Sequence, residues 1–147
     1  MDFKIFYRYW FPVVLWIGFI YWMSTETFSA QNTYLFFEPL IRFFVPSVSK
    51  KGIFVFHTIL RKLAHVTEYM ISGFLLFRAF RKDSNDKREW RWVFSSMLVI
   101  ALIAISDEFH QTAVPSRTPS IADVGIDVLG GFLAQGLSIL KFQHNRR

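Results

Sequence analysis

The sequence predicts an all-helical, multi-pass membrane protein: a bundle of four transmembrane helices with a long outer loop that contains interfacial helical segments. Of its 147 residues, 52% are hydrophobic and 19% are aromatic, which excludes a disordered chain. The apolar residues are also segregated into long blocks with few charges, and Trp and Tyr stand near the ends of the first block. We therefore treat residues 1–147 as a single membrane domain.

Four stretches are apolar enough to cross a bilayer, for which about 20 residues are needed. The first, residues 5–23, contains Arg8 as its only charge and carries aromatic residues near both ends, which is typical of a spanning helix with interfacial anchors. No site of small residues follows it, so a cleaved signal peptide is not expected. The other three predicted spans are residues 63–80, 92–108 and 121–140.

Residues 24–60 separate the first two spans and are interrupted by charges and prolines. Within them, residues 34–45 repeat Phe, Leu and Ile at nearly helical spacing. We predict that part of this outer loop is helical and either lies in the membrane interface or caps the bundle.

The basic residues predict the orientation of the chain. Four spans place both termini on one side, and the tails and the loop between the second and third spans contain eleven of the 17 Lys and Arg residues: Lys4, Arg8, Arg78, Arg81, Lys82, Lys87, Arg88, Arg91, Lys141, Arg146 and Arg147. By the positive-inside rule, we predict cytoplasmic N- and C-termini in a cell membrane. Topology then explains most of the net charge of +6, and no nucleic-acid partner is expected.

Ionisable residues gather at the predicted outer ends of the second, third and fourth spans, although such groups are costly inside a bilayer and are functional by default. Within each span they recur three or four residues apart, which places them on one helix face. The candidate catalytic residues are His65, Glu68, Asp107, Glu108, His110, Asp123 and Asp127. The candidate ligand-binding residues are Lys62, Tyr69, Gln111 and Arg117.

The segment between the third and fourth spans, residues 112–120, contains two prolines and several hydroxyl residues, which predicts a turn. It brings Arg117 close to the acidic residues. Ser120 is a candidate N-cap of the fourth span, with Asp123 as an acidic residue in the first turn. Asp123 therefore has a structural role available besides a functional one.

Several interpretations of this polar cluster remain open. Two imidazoles and five carboxylates suit a divalent metal, whereas the absence of cysteine excludes thiolate sites, and no H-E-x-x-H motif occurs. Without a metal, His65 beside a carboxylate is a candidate general base, and Arg117 with Lys62 could hold the phosphate of a lipid-linked head group for hydrolysis or transfer.

Three further interpretations involve no reaction. The charged groups could simply pair across helices and stabilise the bundle. They could bind a cell-surface ligand without changing it. A transporter is the remaining class, but polar groups confined to one leaflet lack the midplane residues expected for alternating access. The two remaining histidines, His57 and His144, are expected to be solvated.

The run LRKLAHVTEYMISGFLLFRAF and the later run AISDEFHQTAVPSRTPSIADVGIDVLGGFLA resemble the VanZ-like family of small bacterial membrane proteins. All eleven candidate residues and Gly130 match motif positions of that family. The resemblance implies an envelope protein with a role in low-level resistance to the glycopeptide teicoplanin. The partners it suggests are membrane lipids and a peptidoglycan precursor, a glycopeptide or a lipid-phosphate ligand. It implies no particular reaction or cofactor, so enzymatic activity and a divalent metal both stay open.

Overall fold

Five helices build the protein in a computed structural model that describes residues 2–84 and 89–144. A short 3-10 turn, Glu26–Phe28, follows the first helix. Within the described residues there is no strand, so the all-helical prediction is confirmed. The helices are α1 (Phe3–Met23), α2 (Ala30–Phe44), α3 (Lys50–Arg81), α4 (Glu89–Thr112) and α5 (Ile121–His144).

Three segments of the described chain are long and apolar enough to cross a membrane: Phe3–Met23, Trp90–Thr112 and Ile121–Lys141. They contain the first, third and fourth predicted spans, so a membrane-type protein with several apolar helices is confirmed. The second predicted span, residues 63–80, lies inside α3 and does not qualify, because the polar residues of the candidate site lower its mean hydropathy. Four crossings therefore remain a prediction.

Helix α3 is longer than predicted, since it begins at Lys50 and not near residue 63. Its first turn is capped by Ser49, whose side chain accepts a hydrogen bond from the Gly52 N–H at 3.1 Å. The helix has 32 residues, and at about 1.5 Å per residue it is about 48 Å long. That exceeds the hydrocarbon core of a bilayer, which is about 30 Å thick. The first turns of α3 therefore belong to the segment that the sequence assigned to an outer loop.

Helix α2 confirms that part of the outer loop is helical. It starts at Ala30, four residues before the predicted block, because the Ser29 side chain accepts a hydrogen bond from the Asn32 N–H. Its apolar side chains are largely exposed, as at Phe36 and Phe43, which are 69% and 79% exposed. Such a face suits the predicted interfacial position.

Helices α3 and α5 run in the same direction. Lys62 contacts Asp123, and three residues further along α3, His65 contacts Asp127 four residues further along α5. The difference in residue number between contacting positions of α3 and α5 hardly changes, from 61 to 62. The two helices therefore lie side by side over the same depth, with α4 connecting them in the opposite direction.

Helix α1 is antiparallel to α3. Its first half contacts the end of α3, where Trp10 packs edge-to-face on Phe80. Further along α1, the Trp16 indole N–H donates to the Glu68 carbonyl, nearer the start of α3, at 2.9 Å. The four long helices α1, α3, α4 and α5 thus alternate in direction around a core that includes Ile20, as an up-and-down bundle requires.

The residues Phe6–Trp10 of α1 form a π-helical turn just before Pro12. Because proline has no N–H, it cannot donate to the Arg8 carbonyl as an α-helix would require. The Arg78 guanidinium donates to that carbonyl instead, at 3.0 Å. A neighbouring helix thus satisfies the freed group, which is the usual way a proline is accommodated inside a membrane.

The predicted orientation of the termini is not decided by these contacts and stays a prediction. Arg8 and Arg78, both assigned to the cytoplasmic side, do lie at the same end of the bundle. Four other members of that basic set lie outside the described residues: Lys87, Arg88, Arg146 and Arg147.

Candidate functional site

Two adjoining cavities lie where the ends of α3, α4 and α5 meet the α1–α2 connection. One has a volume of about 690 Å³ and is called here the polar cavity. The other has a volume of about 610 Å³ and is called the apolar cavity. Residues of the predicted outer loop line both, for example Tyr34 in the polar cavity and Phe37 in the apolar one. The two cavities share five lining residues: His57, Arg61, His65, Gln111 and Arg117.

The linings of the two cavities differ in chemistry. The polar cavity is lined by charged and hydroxyl groups such as Lys62, Asp123 and Thr118. The apolar cavity is walled mainly by aromatic and aliphatic side chains, among them Phe28 and Leu60, with Glu68 and Asp107 also in its lining. The five shared residues thus lie between a cavity with a more polar lining and a cavity with a more apolar one.

His65 and Asp127 form a histidine–carboxylate pair across α3 and α5. The His65 Nδ1 lies 3.0 Å from Asp127 Oδ1, and Asp127 is fully buried. When the carboxylate is ionised it can only accept, so Nδ1 must carry the proton in this hydrogen bond. In the neutral imidazole Nε2 is then free to accept a proton, and His65 lines both cavities. This arrangement orients the ring and suits a general base.

Lys62 of α3 forms an ion pair with Asp123 of α5. Its ammonium lies 3.2 Å from Asp123 Oδ1, in a pair that is open to solvent. Asp123 stands in the first turn of α5, where a negative charge is favourable. The structural and functional roles predicted for Asp123 are therefore compatible. Lys62 and Arg117 both line the polar cavity, and their predicted joint role in holding a phosphate stays a prediction.

Asp107 and Gln111 meet on one face of α4. The Gln111 side-chain amide donates to Asp107 Oδ2 at 3.1 Å, and Asp107 Oδ1 is buried without a hydrogen-bond partner among the described residues. Both residues line the apolar cavity, as does Glu68. A buried carboxylate oxygen that lacks a partner is costly unless a water or ligand supplies one.

Three candidate residues point away from both cavities. Glu108 Oε2 accepts the Ser120 backbone N–H at 2.7 Å and so ties the α4–α5 connection to α4. His110 packs edge-to-face on Tyr21, with ring centroids 5.7 Å apart. Tyr69 is fully buried in the core. Their geometry suits roles in holding the bundle together, and none of them lines either cavity.

The sequence missed two residues of the shared wall. His57, expected to be solvated, is 3% exposed, and its Nε2 lies 3.0 Å from the Thr33 hydroxyl of α2; that expectation was wrong. Arg61 donates to the Phe28 carbonyl at 2.9 Å. Both lie on one stripe of α3 with His65, at steps of four residues. The stripe is visible only once α3 is known to begin before residue 57.

Arg117 connects the α4–α5 segment to the end of α1. Its Nη2 donates to the Met23 carbonyl and to the Thr25 carbonyl, whereas its Nε is buried without a partner among the described residues. Burial and, second, the positive charge of Arg61 lower the pKa of the Arg117 guanidinium. Within residues 2–84 and 89–144, neither arginine forms an ion pair with a carboxylate.

The predicted alternative of a metal centre finds no geometric support. Throughout the described part of the chain, no three His, Asp or Glu side chains come close enough together to hold a metal ion. The acidic residues are instead distributed between partners: Asp127 with His65, and Asp123 with Lys62.

These features define a helical membrane-type protein with a polar site at one end of its bundle, next to an apolar cavity. The chain belongs to the VanZ/LLP1 family, whose model matches residues 9–142. The match covers all five helices except the outermost residues of α1 and α5. Neither a curated protein nor a solved structure matches the chain.

Proposed function

We propose that this VanZ/LLP1 family member is a four-span protein of the bacterial cell membrane that binds a cell-surface ligand at the outer leaflet and thereby lowers susceptibility to teicoplanin. The observation that carries this proposal is the pair of adjoining cavities, to which every outer segment contributes. Their volumes fall within the range of about 300–1,000 Å³ that is usual for ligand sites.

The fourth crossing rests on the packing of α3. Along its second half α3 lies parallel to α5, and their contact runs from Lys62 with Asp123 to Gly73, whose carbonyl accepts a hydrogen bond from Gln135. Since α5 is apolar enough to span a bilayer, a helix that follows it over this depth crosses the same bilayer. Within this stretch the His65 side chain of α3 meets the fully buried Asp127 of α5, so this pair is sheltered inside the bundle.

The outer position of the site follows from the distribution of charge. Arg8 and Arg78 meet at the opposite end of the bundle from the cavities, and most of the other basic residues belong to that side by topology. The positive-inside rule therefore favours an outer-leaflet position for the cavities, which is the side on which a cell-surface ligand would be bound.

The first prediction concerns resistance. Expression of the chain in a teicoplanin-susceptible Gram-positive host is expected to raise the minimal inhibitory concentration of teicoplanin. His65→Ala is expected to return it to the empty-vector value, because this change removes a side chain that lines both cavities. Lys51→Gln is the matched control: Lys51 is an exposed cation of the same helix and lines neither cavity.

Membrane levels of each variant are measured by immunoblot, so that loss of protein is not mistaken for loss of function. A wild-type chain that leaves teicoplanin susceptibility unchanged would contradict the role in resistance. A His65→Ala variant that is as protective as wild type, at an equal protein level, would contradict the role of the cavities.

A second candidate function is hydrolysis or transfer at a lipid-linked phosphate, and the His65–Asp127 pair favours it. An imidazole held at 3.0 Å from a buried carboxylate has the arrangement of a general base. Such a base could activate water, or an acceptor hydroxyl, against a phosphate group held by the neighbouring arginines. In hydrolysis the water oxygen bonds to phosphorus as the phosphorus–oxygen bond to the leaving group breaks. One water proton goes to His65 Nε2, and the protonated imidazole then gives it up, through solvent, to the leaving-group oxygen.

The second prediction separates binding from catalysis. If the chain is a hydrolase, the purified protein with undecaprenyl-type or glycerophospholipid phosphates is expected to release a product detectable by mass spectrometry. Asp127→Asn, which preserves the shape of the side chain but weakens its charge-assisted hydrogen bond, is expected to lower turnover by at least about tenfold. Absence of turnover with the wild-type chain would leave binding as the activity of the site.

A further inference from the structure

We propose that the ligand is a phosphate-bearing lipid whose phosphate lies between Arg61 and Arg117, with an acyl chain in the apolar cavity. This inference rests on the proposed function, because it takes the cavities to lie at the outer leaflet. It assigns an anion-binding pair that includes one residue, Arg61, that the sequence did not single out, and it names the chemical class of the ligand.

The first step concerns the charges of the two arginines. Both line the wall that the cavities share, and each repels the other. Glu68 acts electrostatically on both guanidiniums and Asp107 acts on Arg117, yet no carboxylate of the described residues lies within ion-pairing distance of either one. These acids offset the repulsion between the two half-buried arginines only in part, since burial and Arg61 still lower the pKa of the Arg117 guanidinium. An anion placed between the arginines would pair with both of them directly.

The second step concerns the hydrogen bonds that remain available. A guanidinium has five N–H donors. Arg61 uses Nη1 for the Phe28 carbonyl and Thr33, and Arg117 uses Nη2 for two carbonyls at the end of α1. The Arg117 Nε remains buried without a partner among the described residues. A phosphate suits this pair, since Arg61 keeps Nε and Nη2 for two parallel hydrogen bonds and Arg117 keeps Nε and Nη1 for single ones.

A free inorganic phosphate bound between the arginines would leave the apolar cavity empty. Beside the arginines it is walled by Met23, Phe28, Phe36 and Leu60, which offer nothing to a hydrated ion. A hydrocarbon chain attached to the phosphate would bury this surface, at about 25 cal/mol per Å² of apolar area. The lining therefore favours an amphiphile over a soluble anion.

The structure also offers a route for the acyl chain out of the apolar cavity. A groove of about 310 Å³ on the face between α1 and α3 continues from the apolar cavity, with which it shares Leu60, Ala64 and Glu68. Its other lining residues are Leu63, Thr67 and Ile71, which lie progressively deeper along the predicted span 63–80, and Trp16 of α1. An acyl chain could thus extend from the cavity toward the bilayer interior, while the rest of the head group occupies the polar cavity.

The test uses the full chain in neutral detergent and three ligands that differ in one part each. Phosphatidic acid carries both phosphate and chains, diacylglycerol of the same chains lacks the phosphate, and inorganic phosphate lacks the chains. Native mass spectrometry measures retained lipid. We expect phosphatidic acid to be retained at least about tenfold more tightly than diacylglycerol, as charge-assisted hydrogen bonds predict. Millimolar inorganic phosphate is not expected to displace it.

Two variants address the two parts of the ligand. Arg61→Gln is expected to lower phosphatidic acid retention about tenfold, whereas the control Lys51→Gln leaves it unchanged. Ala64→Phe places a ring in the exposed passage between cavity and groove, and is expected to lower phosphatidic acid retention without lowering the thermal midpoint. Arg117→Gln also loosens the α4–α5 segment, so the test relies on Arg61.

Equal retention of phosphatidic acid and diacylglycerol would overturn the arginine site. Displacement of phosphatidic acid by an equal concentration of inorganic phosphate would overturn the role of the chain. If lipid selectivity is absent while His65→Ala still abolishes teicoplanin resistance, only this inference fails. If phosphatidic acid is bound selectively but the chain confers no resistance, the proposed function fails and the lipid site stands.

Discussion

Replacing Gly130 with alanine is expected to lower the free energy of unfolding by about 3 kcal/mol. A Cβ at this position would lie 2.5 Å from the Val66 carbonyl oxygen of α3, closer than real contacts allow. The obstacle is helix backbone and not a flexible side-chain tip, so α3 and α5 must move apart to accommodate it. At an open helix position the change from glycine to alanine usually stabilises the protein by about 1 kcal/mol. The close approach of Val66 therefore turns a stabilising substitution into a destabilising one.

Gly136→Ala in the same helix is the matched control, because a Cβ there meets no atom within 4 Å. Unfolding in mixed micelles with rising SDS, followed by circular dichroism, measures both variants. The Gly136 variant is expected to unfold at or slightly above the wild-type midpoint. Equal midpoints for the two variants would show that α3 and α5 are not in close contact at Gly130.

The Gly130 contact also bears on the site. Gly130 is one helical turn from Asp127, so separating α3 from α5 moves Asp127 away from His65. We therefore expect Gly130→Ala to reduce teicoplanin resistance at equal protein level. A Cβ at Gly73 would also lie too close, at 2.6 Å from the Ala134 Cβ, whereas one at Gly131 would meet the side-chain end of Ile100 at 2.7 Å. These small residues set the helix spacing that the site requires.

The helices that contain long runs without charge could be predicted from the sequence. Helices α1, α4 and α5 are predicted to within a few residues of their limits, because few charged residues interrupt their apolar runs. Helix α3 could not be bounded in the same way. Charges at Lys50, Lys51 and Arg61 are typical of a loop beside a membrane, and only the packing against α2 and α5 shows that the helix continues through them.

The candidate site could be predicted at the level of which chain segments meet. Residues at one end of three helices converge, which topology alone implies. The partners could not be predicted, because they depend on how each helix is rotated and on its register against its neighbours. His110 and Gln111, for example, both lie about one turn from Asp107, and the structure pairs Asp107 with Gln111. Helical stripes three and four residues apart are too close to separate by spacing.

The shared wall was missed for a related reason. His57 and Arg61 lie in a segment that the sequence assigned to an outer loop, and a histidine in such a loop is usually solvated. The Thr33 hydroxyl that meets His57 comes from α2, 24 residues away in the chain. No local sequence pattern predicts that contact, which forms because α2 folds back against α3.

The second large effect is expected at the buried pair. His65→Leu leaves the Asp127 carboxylate, which is fully buried, without its hydrogen-bond partner. We expect this variant to lose about 3–5 kcal/mol of stability, the usual cost of removing one member of a buried pair. The double variant His65→Leu/Asp127→Leu is expected to recover most of that loss, because it replaces both polar groups with apolar ones of similar size.

The double variant also separates a structural role of the pair from a functional one. If the pair only holds α3 against α5, a stable double variant is expected to retain teicoplanin resistance. If the pair serves the cavities, the double variant is expected to be stable and inactive, and we expect this result. Stability is measured by SDS titration, and resistance at equal membrane level.

The Lys62–Asp123 pair is the control, since it joins the same two helices at about the same depth but is open to solvent. An exposed pair contributes at most about 1 kcal/mol, so Lys62→Leu is expected to change stability by no more than that. Similar losses for His65→Leu and Lys62→Leu would mean that Asp127 is reached by water in the membrane. The Asp127 carboxylate would then be hydrated and not sheltered. That result would contradict the interpretation of His65 as a general base oriented by a buried carboxylate.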